Sequence, residues 1–146
     1  MPVEIVGLSV CRVKGNPPDS LAEARLAQGL GLEGDFRQGG EKQVSLLPAE
    51  ARRWMEAQPE QGLCFRRFRE NISIQGLATG MLEPGSLLSV GDAILRISAA
   101  RKECFDECPL YSRGIPCNLS QCAAFASVER SGAVRLHDPV SVLPGG

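Results

Sequence analysis

Histidine is nearly missing from this chain: its 146 residues include one, His137. A Ser-His-Asp or Cys-His catalytic pair would have to use that residue. No nucleophile-elbow pattern accompanies it, so hydrolase chemistry is not expected. A charge excess of either sign is also missing. The formal net charge is −1, and nothing in it suggests a nucleic-acid partner or an acidic tail. No apolar run is long enough to span a bilayer, so no membrane partner is expected. The first residues, Met1 to Leu8, lack a basic segment followed by a long apolar run. A secretory signal is therefore not expected, and the chain reads as cytoplasmic. In a reducing compartment stable disulfides are not expected, and the glycosylation sequon at Asn118-Leu119-Ser120 reads as chance. No Lys-Ser or Lys-Thr follows the glycines at 29–34, which excludes a P-loop. Internal repeats, coiled-coil heptads and low-complexity segments are absent. The length suits one domain, residues 1–146, large enough to enclose a core.

What remains is mostly β patterning. Val3 to Val13 is rich in β-branched residues and reads as a strand. Gly15 to Ser20 reads as a loop. The next stretch has two readings. Ser20 with Glu23 resembles a capping box before a short helix, whereas Ala22, Ala24 and Leu26 alternate with charges as in a strand. A Gly-rich turn spans Gly29 to Asp35, and Gln43 to Leu47 reads as a strand. Pro48 opens a helix, as proline suits the first helical position. Leu47, Ala51, Trp54 and Met55 keep its apolar stripe, Trp54 reads as core, and Pro59 lies past its end. Ile72 and Ile74 mark another short strand. Leu87–Val90 and Ala93–Ile97 flank Gly91-Asp92 as a hairpin. A second hairpin is expected from Ala123–Glu129 to Val134–Leu136 through Ser131-Gly132, and Val140–Leu143 reads as a last strand. Many short strands with one clear helix predict a mostly β fold, a barrel or strongly curved sheet with small helical additions.

Chemistry concentrates in the cysteines. Four of six fall in one stretch, Cys104, Cys108, Cys117 and Cys122, spaced C-x3-C-x8-C-x4-C. Four thiolates can hold zinc or an iron–sulfur cluster, although structural zinc sites favour C-x2-C knuckles. The alternative is one functional thiol with buried neighbours, because cysteine packs well as a small hydrophobe. Cys104 is then the candidate. Arg101-Lys102 beside it favours the thiolate, and Glu103 and Asp106 oppose it. A thiol-redox or persulfide carrier, with Cys108 or Cys117 as resolving partner, is a third reading. Arg66, Arg67 and Arg69 crowd the approach to Asn71. Guanidinium groups grip phosphate bidentately, although a solvated charged face also accounts for such a run. Gly31-Leu32-Glu33-Gly34-Asp35 permits close backbone approach and ends on a carboxylate that either meets a ligand or caps the loop.

In their order these pieces resemble a MOSC domain, the C-terminal domain of molybdenum-cofactor sulfurases that also occurs as small stand-alone bacterial proteins. The resemblance runs from about Val3 to Leu143. It is carried by the Gly-x-x-Gly-Asp turn at Gly31–Asp35 and by Gln43-Val44-Ser45-Leu46-Leu47 behind Lys42. Glu70-Asn71-Ile72, Pro84-Gly85, Gly91-Asp92-Ala93, Cys104, Ala124-Phe125-Ala126 and Gly132 complete it. The resemblance implies a mostly β, barrel-like fold and a role around the molybdenum cofactor: binding the molybdopterin, or carrying sulfur to it. By carry-over, Cys104 is the sulfur or molybdenum ligand. Arg69 and Asn71, with Arg67, face the pterin's phosphate, and Asp35 and Gln43 line the pocket. Phe36, Phe105 and His137-Asp138 depart from the family, which often has histidine at the first two positions and Gly-Asp at the last. Pyridoxal phosphate is not expected in this chain. Any sulfur donor is a separate cysteine desulfurase, and a molybdoenzyme is the other implied partner.

Overall fold

The computed structural model describes residues 3–58, 69–77, 81–100 and 123–144. Among these the chain forms eleven strands and one helix. The strands are β1 (Glu4–Val10), β2 (Asp19–Ser20), β3 (Glu23–Ala27), β4 (Gly31–Leu32), β5 (Val44–Pro48) and β6 (Ile72–Gln75). They continue with β7 (Leu87–Val90), β8 (Ala93–Ala100), β9 (Ala124–Arg130), β10 (Gly132–Arg135) and β11 (Val140–Leu143). Helix α1 covers Ala49–Ala57. The fold is mostly β, as the alternation predicts.

One curled sheet has the order β11-β7-β8-β9-β5-β6-β1-β2, and a small sheet has the order β10-β3-β4. Every pairing is antiparallel except β5 with β6. That parallel pair needs a crossover, and α1 begins it. Helix α1 starts one residue later than expected. Pro48 is its N-cap, with extended ψ of 134°, and not its first helical residue.

The sheet curls until its flanks meet. Ile5 donates its N–H to the Asp138 carbonyl at 3.0 Å, His137 donates to the Ile5 carbonyl at 2.7 Å, and Val140 donates to Val3 at 3.0 Å. His137 takes a positive φ of 72° in the turn that makes this possible, a conformation uncommon outside glycine. Inside the curl lies one apolar cluster. It includes Ile5, Leu8, Leu46, Ile72, Ile74, Leu95 and Ile97, with Leu26, Leu32 and Val134 from the small sheet. Leu47, Ala51 and Met55 are buried outside that cluster, where α1 lies against β5 and β6. Trp54 is only half-buried on that helix, so the core reading of it is too strong.

Two local expectations are decided by non-local partners. The stretch after Ser20 forms no helix and is a strand over Glu23–Ala27, because Ala24 and Leu26 enter the core while β3 pairs with β10. The expected hairpin from Ala123–Glu129 to Val134–Leu136 does not form. β9 pairs with β5 and β8, whereas β10 leaves for β3. Gly132 explains the departure. A Cβ there would collide with the Asp92 carbonyl, so only glycine lets the two backbones pass. The Leu87–Ala93 region does form the expected hairpin, with Val90 opposite Ala93.

Candidate functional site

The Gly-Asp turn delivers a buried carboxylate to the end of β1. Gly31 has φ +131°, and a Cβ there would lie 2.8 Å from the Gln43 carbonyl oxygen. Gly34 has φ +88°. A side chain at either position would be strained, so glycine fixes the path of the turn. Asp35 follows and is 4% exposed. Its Oδ2 accepts the Cys11 N–H at 2.9 Å and the Asn71 Nδ2 at 2.8 Å. Its Oδ1 accepts the Arg37 N–H at 3.0 Å. Phe36 in turn donates its N–H to the Cys11 carbonyl at 2.8 Å.

Asn71 is 2% exposed and joins two further segments, those of Ser9 and Ser45. Besides Asp35, its Nδ2 donates to the Ser9 carbonyl at 3.1 Å. Its Oδ1 accepts the Ser45 N–H at 2.9 Å and faces the Ser45 hydroxyl at 3.1 Å. The same hydroxyl lies 3.2 Å from the Arg69 carbonyl and accepts the Asn71 N–H at 2.9 Å. Every hydrogen-bonding position of the Asn71 amide is therefore used inside the protein.

Beside this junction opens a cleft of about 460 Å³. Cys11, Lys14, Phe36, Arg37 and Arg69 contribute to its wall, and among the described residues no acidic one does. Three cations on one concave surface focus a positive potential there. None of the three is in an ion pair with another described residue. The Arg37 guanidinium lies 4.8 Å from the Phe36 ring centroid and 5.7 Å from that of Phe125. The Cys11 thiol donates to the Val13 carbonyl at 3.2 Å.

Of the residues singled out from the sequence, the fold brings Asp35, Asn71 and Arg69 together around this cleft. Gln43 is not in its wall. Its Nε2 donates to the Gly40 carbonyl at 2.8 Å, and its Oε1 accepts the Val128 N–H at 3.0 Å, which ties the second glycine turn to β9. Arg67, Cys104, Cys108, Cys117 and Cys122 lie outside the described residues. Among the described residues no three His, Cys, Asp or Glu side chains gather as a metal site. Sequence reasoning missed Cys11, Lys14 and Arg37. They stand in loops, where no periodicity singles them out. The only signal available was a lysine beside Gly15 and an arginine two residues after Asp35.

Glu70 takes a separate part. It forms an ion pair with Arg52 of α1, with both side chains mostly withdrawn from solvent, and so fastens the approach to β6 onto the helix. No described helix is long and apolar enough to cross a membrane.

The MOSC domain family model matches residues 33–141. Among solved structures, YiiM from Escherichia coli is similar at 24% identity and a TM-score of 0.62, over 99% of this chain and 70% of that one. YuaD from Bacillus subtilis is similar at 18% identity and a TM-score of 0.66, over 97% of this chain and 96% of that one. YiiM from Geobacillus stearothermophilus is similar at 18% identity and a TM-score of 0.65, over 99% of this chain and 77% of that one. No curated protein sequence matches this chain significantly.

Proposed function

The chain belongs to the MOSC domain family, and from that premise we propose that it binds the molybdenum cofactor in the cleft beside Asp35 and Asn71. The family is associated with molybdenum-cofactor-related functions. The observation that carries the proposal is the wall of that cleft: Lys14, Arg37 and Arg69, with no acidic residue among the described residues that line it.

The residues present fit the anionic part of such a cofactor. Arg37 and Arg69 can each offer a planar fork of donors to a phosphate, and Lys14 adds a compact charge. Arg67, from the same run as Arg69, would supply a further cation. Cys104 would supply the soft thiolate that a molybdenum centre accepts. Asp35 and Asn71 support the wall from beneath, and Gln43 fixes the turn behind it. When bound, the cofactor supplies a metal centre able to exchange oxygen and sulfur ligands. Delivery of sulfur to it would use a persulfide on Cys104, charged by a separate cysteine desulfurase.

The test is a titration of purified protein with molybdopterin cofactor, comparing wild type with Cys104→Ser. Wild type is expected to bind, and the variant to bind more weakly or to lose the metal-to-thiolate absorption. Equal binding by both overturns the role of Cys104, and no binding by either overturns the proposal. Zinc or iron in the protein as isolated would instead assign Cys104, Cys108, Cys117 and Cys122 to a structural metal centre.

A further inference from the structure

Three residues of the cleft wall trace back to one carboxylate that is not itself in the wall. Asp35 holds the N–H of Cys11 at 2.9 Å and the N–H of Arg37 at 3.0 Å. It also holds the Asn71 amide at 2.8 Å. Asn71 stands two residues beyond Arg69, and both meet the hydroxyl of Ser45, at 2.9 Å from the Asn71 N–H and 3.2 Å from the Arg69 carbonyl. Each of the three segments is irregular where the tie is made. Cys11 has just left β1, Arg37 follows the glycine turn, and Arg69 precedes β6. Main-chain bonds also reach these segments, from Ser9 N–H to the Asn71 carbonyl at 2.8 Å and from Phe36 N–H to the Cys11 carbonyl at 2.8 Å, but the N–H groups of Cys11 and Arg37 find their acceptors on the Asp35 side chain.

We infer that Asp35 is the positioning residue of the cleft: it sets the spacing of the Arg37 and Arg69 backbones, and of Cys11, for a phosphate-type dianion. A carboxylate suits this task because its two oxygens offer about four acceptor sites, and bonds to a charged acceptor are roughly twice as strong as neutral ones. Holding the backbones in advance lowers the ordering cost when two long side chains close on an anion. The inference rests on the reading of the cleft as the cofactor's anion site and adds what organises it.

The sign of the effect separates positioning from simple electrostatics. A negative charge beneath the cleft repels an anion, so on Coulombic grounds alone Asp35→Asn strengthens anion binding. Loss of positioning weakens it. The experiment is calorimetric titration with inorganic pyrophosphate, with amide proton resonances recorded on the same samples. In Asp35→Asn, affinity is expected to fall by about tenfold or more, the factor that 1.4 kcal/mol represents. The Cys11 and Arg37 amide protons and the Asn71 side-chain amide should move, while thermal unfolding stays cooperative. Lys14→Ala should weaken binding with those resonances in place. Equal or tighter binding by Asp35→Asn overturns the inference. If wild type itself ignores pyrophosphate, the anion reading of the cleft fails. The positioning claim is then decided by the resonances, and their staying in place in Asp35→Asn overturns it. Asp35→Ser serves the same comparison if Asp35→Asn does not fold.

Discussion

Asn71→Asp changes one buried atom group and almost no volume, which isolates hydrogen bonding from packing. The substituted residue keeps an oxygen to accept the Ser45 N–H at 2.9 Å. Its second oxygen replaces the amide nitrogen that now meets Asp35 Oδ2 at 2.8 Å and the Ser9 carbonyl at 3.1 Å. Two donated bonds are lost, and two acceptor–acceptor contacts take their place. Losing a bond to a charged acceptor costs about 1.5–3 kcal/mol, and a neutral one about 1 kcal/mol. Two carboxylates about 4 Å apart repel by a further ~4 kcal/mol at an effective dielectric near 20, part of which relaxation relieves. A net loss of about 4 kcal/mol is expected, a large share of the roughly 5–15 kcal/mol that a domain has. With an m-value of about 2 kcal/mol per molar urea, the unfolding midpoint falls by about 2 M. Equilibrium urea unfolding, followed by circular dichroism and by the fluorescence of Trp54, the single tryptophan, measures this directly. A midpoint within about 0.3 M of wild type, only ~0.6 kcal/mol at that m-value, refutes the junction as drawn.

Four further outcomes follow from the packing, the backbone conformation and the charge pairing. Gly132→Ala places a methyl group against the Asp92 carbonyl, and overpacking at that backbone crossing should cost about 1–3 kcal/mol in thermal unfolding. Gly39→Ala, with open space around its Cβ but φ +76°, should cost only the conformational strain, roughly 1–2 kcal/mol. Arg96→Ala breaks an exposed pair with Glu129 and should change stability by less than about 1 kcal/mol. Arg52→Ala leaves Glu70 unpaired at 13% side-chain exposure and should cost clearly more than Arg96→Ala in the same urea assay.

The strands were largely legible because period-two burial is written into the sequence. β3 alternates exposed and buried residues from Glu23 to Leu26, and β6 buries Ile72 and Ile74. The Gly91-Asp92 turn was legible for the same local reason. Partner choice was not. The segment from Ala124 to Arg135 carries every local sign of a hairpin, but Gly132 exists for a backbone crossing with Asp92 that no local pattern encodes. The candidate site divides in the same way. Asp35, Asn71 and Arg69 stand in an ordered motif, and their convergence could be anticipated. Lys14 and Arg37 stand in loops that no periodicity marks, and the ties from Asp35 to the Cys11 and Arg37 N–H groups are non-local or loop contacts that the pattern does not encode. The Asn71 amide read as a ligand group from sequence, yet its capacity is spent on Ser9, Asp35 and Ser45.

The central claim is that the cationic wall of the cleft holds the cofactor's anionic group. Arg69 is exposed, and its backbone rather than its side chain is tied to the junction, so its charge can be reversed without disturbing the fold. The affinity of Arg69→Glu for molybdopterin cofactor, measured beside wild type in one titration, tests the claim most directly. A fall of about a hundredfold or more is predicted, since reversing one charge turns an attraction of about 1 kcal/mol per unit charge of the anion, even in high dielectric, into an equal repulsion, and for a dianion the sum exceeds the ~2.7 kcal/mol which that factor represents. Equal affinity for the two proteins would contradict it.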